Sequence, residues 1–223
     1  MSTSLATKYA DICARIDAAA SDRPVTLVAV SKLQPASAVR ELHQLGQQIY
    51  GENYVQEALE KMAELSGCAI QWHLIGPLQS NKCREVAEHF DWLQTLDRAK
   101  LIPLLARHRP AELAPLNVLI QVNIDDEDSK SGVAPADVPE LAAAVTAQPR
   151  LRLRGIMSIP KPWPDAAQRS ASFARLRQLF EQLRARYPDI DTLSMGMSED
   201  FELALREGAT MVRVGSALFG ARR

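Results

Sequence analysis

The sequence predicts an α/β fold, a single closed (β/α)8 barrel preceded by one extra helix, and two observations predict it. Eight short β-rich segments alternate with longer stretches whose apolar residues recur three and four apart, the spacing of one helix face. The chain's 223 residues also lie just above the lower size limit of such a TIM-type barrel. A doubly wound open sheet is the competing arrangement, but no strand is followed by the G-x-G-x-x-G turn that best marks it.

A helix is expected over Ser2 to Ala20, ahead of the first strand, where it covers the barrel's bottom or side. The first strand, Val25 to Ser31, is β-branched and apolar; it ends abruptly in Lys32, and Pro35 then opens a helix over Ala36 to Leu45. The second strand, Gln48 to Gly51, leads to a helix over Val55 to Leu65. The third, Ile70 to Gly76, leads to one over Asn81 to Phe90, with Ser80, Asn81 and Lys82 reading as its start. Trp92 to Leu96 precedes a helix over Arg98 to Arg107, and Asn117 to Asn123 precedes one over Pro135 to Ala147. The sixth strand, Leu153 to Ile159, runs into the turn-rich loop PKPWPD at 160–165 and a helix over Ala166 to Tyr187. Thr192 to Met195, a helix over Glu199 to Glu207, and Met211 to Gly215 complete the series.

Composition narrows the function. With 47% hydrophobic and 24% charged residues the chain has material for one sizeable core, so one domain over residues 1–223 is expected. Basic residues number 26 and acidic 27, with no basic block, which gives no support to nucleic-acid or membrane-surface binding. No charged and apolar leader is evident, and no apolar run approaches the roughly 20 residues that span a bilayer, so a cytoplasmic location is expected. Cys13, Cys68 and Cys83 are odd in number and lack ligand spacing, as reduced structural thiols do. The acidic run Asp125 to Asp128 does not thread an EF-hand pattern, and no metal site is expected.

In a barrel of this kind the active site lies at the C-terminal ends of the strands, often with a phosphate site after strands seven and eight. Lys32 ends strand one. A lysine there is either solvated, as lysines usually are, or held partly dry with a lowered pKa and an amine free to attack a carbonyl. After strand seven, Gly196 permits a tight turn and Ser198 is placed to cap the next helix, where free N–H groups favour an anion. Glu199 and Asp200 suit the helix dipole but would repel a phosphate, so they are expected to point away. After strand eight, Gly215 and Ser216 are placed to offer backbone N–H groups to the same anion; the Gly215 to Gly220 spacing is followed by Ala221 and Arg222, not by the Lys-Ser/Thr of a nucleotide loop. Arg213 interrupts an apolar strand and needs a partner, either a structural salt bridge or a ligand. Asn53 reads as a ligand contact or a helix cap, and His73 as a satisfied core residue or a pocket residue. An aldehyde carrying its own phosphate satisfies both Lys32 and the cradle opposite, and pyridoxal 5′-phosphate is such a molecule.

Seven segments in order, VAVSK (28–32), IYGENYVQE (49–57), WHLIGPLQSNK (72–82), VNIDDEDSKSG (122–132), LRGIMSIP (153–160), LSMGMSEDFELA (193–204) and VRVGSALFGAR (212–222), closely resemble the YggS/PROSC family of pyridoxal phosphate homeostasis proteins. Tyr50 in place of phenylalanine is a small departure outside the ligand set. The resemblance implies a barrel like the N-terminal domain of alanine racemase, with pyridoxal phosphate joined to Lys32 as a Schiff base. It implies phosphate contacts from Ser198, Gly215 and Ser216, Arg213 at the pyridine nitrogen, and Asn53 and His73 lining the pocket. It further implies a monomer that maintains the vitamin B6 coenzyme without catalysis and delivers it to apo-enzymes. A racemase of the alanine racemase type is the alternative, although such enzymes complete their site with a second domain. A Schiff-base aldolase is a further one.

Overall fold

The eight expected strands pair in parallel in chain order and the last returns to the first, closing the barrel, in the computed structural model of the chain, which describes residues 4–21, 23–127 and 131–220. The elements are α1 (Leu5–Ala20), β1 (Thr26–Val30), α2 (Ala36–Gln44), β2 (Ile49–Glu52), α3 (Val55–Glu64), β3 (Gln71–Leu74), α4 (Cys83–His89), β4 (Trp92–Leu96), α5 (Ile102–His108), β5 (Leu116–Gln121), α6 (Val138–Thr146), β6 (Leu151–Met157), α7 (Ala166–Arg186), β7 (Thr192–Ser194), α8 (Phe201–Arg206), β8 (Met211–Val214) and α9 (Ser216–Phe219). Helices expected from Asn81, Arg98 and Pro135 open instead with 3₁₀ turns over Ser80–Lys82, Ala99–Leu101 and Pro135–Asp137. The short α9, a single turn, carries no periodicity by which the sequence would announce it.

Helices cover the outside of the barrel, so its strands are apolar on both faces and every residue of β4 and β8 is buried. The outer core fills the space between strands and helices. Inside the barrel, Val28, Trp92, Leu119, Met157 and Met211 form a separate apolar cluster. β6 and β7 approach closely at Gly155, where φ is +150° and a Cβ would overlap the carbonyl oxygen of Thr192.

The expected N-terminal helix is present from Leu5, with Ser4 accepting the Thr7 N–H as its cap; Ser2 lies outside the described residues. It covers the side of the barrel where β1 meets β8, packing on α2, α8 and α9. Arg15 ties it to α8, pairing with Glu202 at 2.9 Å and lying over the Phe201 ring. Cys13, Cys68 and Cys83 are free thiols. Among the described residues no helix is long and apolar enough to cross a membrane.

Candidate functional site

Two residues past the end of β7, Gly196 takes φ +90°, and the turn it starts does not lead straight into a helix. Met197 to Asp200 form a turn of their own: Asp200 N–H donates to the Met197 carbonyl at 3.1 Å, and the Asp200 carboxylate accepts the Met197 N–H at 2.7 Å. The helix therefore begins only at Phe201, and the expectation that Ser198 caps it is corrected. Freed from capping, Ser198 Oγ accepts the N–H of Gly215 at 3.2 Å and of Ala217 at 3.4 Å. One hydroxyl thus joins the loop after β7 to the turn after β8.

These two segments border a cavity of about 460 Å3, within the range of small-molecule sites. Ser198, Arg213, Gly215 and Ser216 all line it. Val30 at the end of β1 forms one side, and Pro160, Pro162, Trp163 and Pro164, from the turn-rich loop after β6, form the other. Glu199 and Asp200 border it as well, contrary to expectation, although the Asp200 carboxylate is turned back onto Met197.

Arg213 is 3% exposed and meets no carboxylate within ion-pair distance among the described residues, so the salt-bridge reading of this residue is set aside. Its Nη1 donates to Ser194 Oγ at 2.7 Å and its Nη2 to the Ser158 carbonyl at 2.9 Å. Burial pulls its pKa down to about 10, opposed weakly by Asp200, and it remains a cation at neutral pH. A buried cation with only neutral partners, bordering a cavity, is poised for an electron-rich ligand atom.

From Ser194 the polar contacts continue inward. Ser194 Oγ donates to Gln94 Oε1 at 2.7 Å, and Gln94 Nε2 meets His73 Nδ1 at 2.8 Å. His73 stacks on Trp92, with ring centroids 5.0 Å apart, and Nε2 meets Gln71 Oε1 at 3.0 Å. Fully buried, His73 lines neither this cavity nor its neighbour. The expected pocket residue is a core residue, linked to the site through Gln94 and Ser194. Burial, with Arg154 nearby, depresses its pKa to about 3 and keeps it neutral.

Lys32 follows β1 in a turn and is half-buried. Its Nζ lies 4.9 Å from the centroid of the Tyr54 ring, a cation–π contact at the barrel mouth. Asn53, after β2, borders a second cavity of about 250 Å3 with Thr95 and Gln121. The structure therefore brings Ser198, Arg213, Gly215 and Ser216 together in one cavity. Lys32 lines neither cavity, although Val30, two residues before it, lines the first, and Asn53 is in the neighbouring cavity.

Gln94, Ser194 and the 160–164 wall are the parts that sequence reasoning missed. The first two carried the signal that flagged Arg213, a polar residue in a strand covered on both faces. The acidic run, of which Asp128 lies outside the described residues, has a structural use: Asp125 accepts the Lys161 N–H at 2.7 Å and the Ser172 hydroxyl at 2.6 Å, holding that wall in place.

The family model described as "Alanine racemase, N-terminal domain" matches residues 9–223. A relative in Pseudomonas aeruginosa called "Pyridoxal phosphate homeostasis protein" is 54% identical over 227 residues, covering 100% of this chain and 97% of the relative. The structure of PipY from Synechococcus elongatus, solved with PLP bound, superposes with a TM-score of 0.85 at 37% identity, over 97% of this chain and 100% of that one. Alanine racemase from Corynebacterium glutamicum superposes with a TM-score of 0.70 at 16% identity, over 97% of this chain and 61% of the racemase, a likeness of fold alone.

Proposed function

From the premise that this chain belongs to the alanine racemase N-terminal domain family, and within it to the pyridoxal phosphate homeostasis proteins, we propose that it binds pyridoxal 5′-phosphate at the barrel mouth and maintains the coenzyme's supply without catalysis. The observation that carries the reading is Arg213, a buried cation that borders the cavity and, among the described residues, is held only by neutral groups. A pyridine nitrogen is the electron-rich atom that suits it. Ser198, Gly215 and Ser216 lie in the same cavity and suit the phosphate. Lys32, whose Nζ lies over the Tyr54 ring, would meet the aldehyde, and Asn53, which borders the neighbouring cavity, would line the pocket.

When bound, the coenzyme supplies an aldehyde that closes a Schiff base on an amine. Arg213 works against catalysis. A cation beside the ring nitrogen would keep that nitrogen unprotonated, because two cationic groups in contact repel, and would so weaken the ring as an electron sink. The reading extends to a cytoplasmic, monomeric single-domain carrier that passes the coenzyme to apo-enzymes.

Borohydride reduction of the purified protein, followed by peptide mapping, tests the assignment. A pyridoxyl phosphate adduct on the Lys32 peptide is expected. Lys32 left unmodified after incubation with excess pyridoxal phosphate would overturn the attachment.

A further inference from the structure

The turn that carries Lys32 is held by a buried ionic cluster whose residues line neither cavity. Gln34 N–H closes the turn on the Ser31 carbonyl at 2.9 Å, which leaves Lys32 and Leu33 at its centre. Leu33 takes φ +59°, a left-handed conformation uncommon for a residue with a side chain. Both flanks of Lys32 are tied to α3. The Lys61 ammonium donates to the Ser31 carbonyl at 2.6 Å, and Glu57 Oε1 accepts the Leu33 N–H at 2.6 Å. Lys61 also pairs with Glu57 and with Glu52, each at 2.7 Å, and the Ser31 hydroxyl donates to Glu52 at 2.6 Å.

Stability is a poor account of this arrangement. Lys61 is 5% exposed and Glu52 fully buried, and taking both out of water costs much of what their attraction returns. Glu52 Oε2 has no hydrogen-bond partner among the described residues, and burial pushes the Glu52 pKa up while Lys61 and Ser31 pull against it. What the cluster does achieve is geometric, since its contacts converge on the residues before and after Lys32.

We propose that Lys61 and Glu57 are positioning residues for Lys32, fixing the turn from which its amine reaches an aldehyde held in the neighbouring cavity. The inference rests on the reading of Lys32 as the attachment residue. The step served forms a C=N bond between Lys32 Nζ and the aldehyde carbon and releases the aldehyde oxygen as water, with no change of oxidation state.

The test follows Lys61→Met and Glu57→Ala in the full chain, each also combined with Lys32→Ala. Pyridoxal 5′-phosphate is added, and the rate at which borohydride-trapped label accumulates on the Lys32 peptide is measured. Labelling is expected to slow about tenfold or more, because small misplacement of a reacting group is costly. In the Lys32→Ala background the same substitutions should change the remaining coenzyme affinity less than about twofold, because neither residue lines the cavity and uncoupled sites behave independently. Glu57→Gln keeps an acceptor for Leu33 N–H and should label within about threefold of wild type. Wild-type labelling rates in both folded variants would overturn the clamp alone, and so would an equal loss of affinity in the Lys32→Ala background. If Lys61→Met does not fold, Glu57→Ala decides, since that carboxylate is partly exposed. Absence of label on wild-type Lys32 would overturn the attachment reading and the clamp with it.

Discussion

Arg213 and His73 stand at the two ends of one directed hydrogen-bond chain through the barrel interior, by way of Ser194 and Gln94. A guanidinium only donates, so Ser194 accepts from it and passes its own proton to Gln94 Oε1. The Gln94 amide nitrogen must then donate to His73 Nδ1, and the imidazole keeps its proton on Nε2, facing Gln71. The chain closes without a vacancy only while His73 is neutral.

That requirement gives a pH dependence. His73 titrates near pH 3 in the folded chain, against about 6.5 for an unperturbed histidine, so the unfolded chain binds the extra proton first. Its contribution to stability is therefore fully present above pH 6.5 and is lost as pH falls toward 3, at up to about 1.4 kcal/mol per pH unit. Urea unfolding of wild type and His73→Gln at pH 7, 6, 5 and 4 isolates this from the carboxylates. The stability difference between the two should shrink as pH falls, and a difference constant with pH would show that His73 is not held neutral.

Arg213→Met removes the donor at the head of the chain and the cation at the cavity wall. Hydrogen bonds to charged groups are worth about 1.5–3 kcal/mol, so coenzyme affinity should fall by about tenfold or more. The absorbance of the bound coenzyme should shift as well, because the ring nitrogen loses its cationic neighbour. Equilibrium titration followed by absorbance checks both, and an unchanged affinity with an unchanged spectrum would make Arg213 a core residue only.

Ser198→Ala tests the phosphate side separately. The Ser198 hydroxyl joins the loop after β7 to the Gly215 turn through two backbone N–H groups, and losing it would also remove one hydrogen bond to the phosphate, worth about 1 kcal/mol, or roughly fivefold in affinity. The loss should appear for pyridoxal phosphate and not for pyridoxal, which has no phosphate to hold. An equal loss for both would place Ser198 away from the phosphate.

The barrel was legible in the sequence because alternating strand and helix periods survive any local irregularity; β4 and α7 fall within one residue of their expected bounds, and β6 slides by two, toward Leu151, because Arg152 and Arg154 break the apolar run at its start. Lys32, Arg213 and the glycine-serine pair at 215–216 were legible as residue types out of place in strands or strand ends. The Met197–Asp200 turn was not, because a serine before two acidic residues reads equally as a cap and as a turn, and side-chain reach decides between them. His73 was legible as a satisfied core residue, one of its two readings, but the choice between core and pocket was not, since alternation gives the inward face of a strand without giving depth along the barrel axis.

The close approach of two loops at Gly76 makes a last prediction, about how the mouth is assembled. A Cβ on Gly76 would overlap the Asn53 carbonyl oxygen and lie 2.6 Å from the Asn53 Cα, both backbone atoms with no rotamer to yield. The Gly76 carbonyl is itself fixed from the other side, accepting the Thr95 hydroxyl at 2.7 Å, so the loop has little room to retreat. Gly76→Ala should therefore push Asn53 and the start of α3 outward at a cost of about 1–3 kcal/mol, the usual penalty of overpacking. Gly67→Ala is the control, because nothing lies within 4 Å of its Cβ position. Urea unfolding of the two variants measures the difference. Equal stabilities would mean that the loop carrying Asn53 shifts freely, and that the second cavity has no fixed shape to offer a ligand.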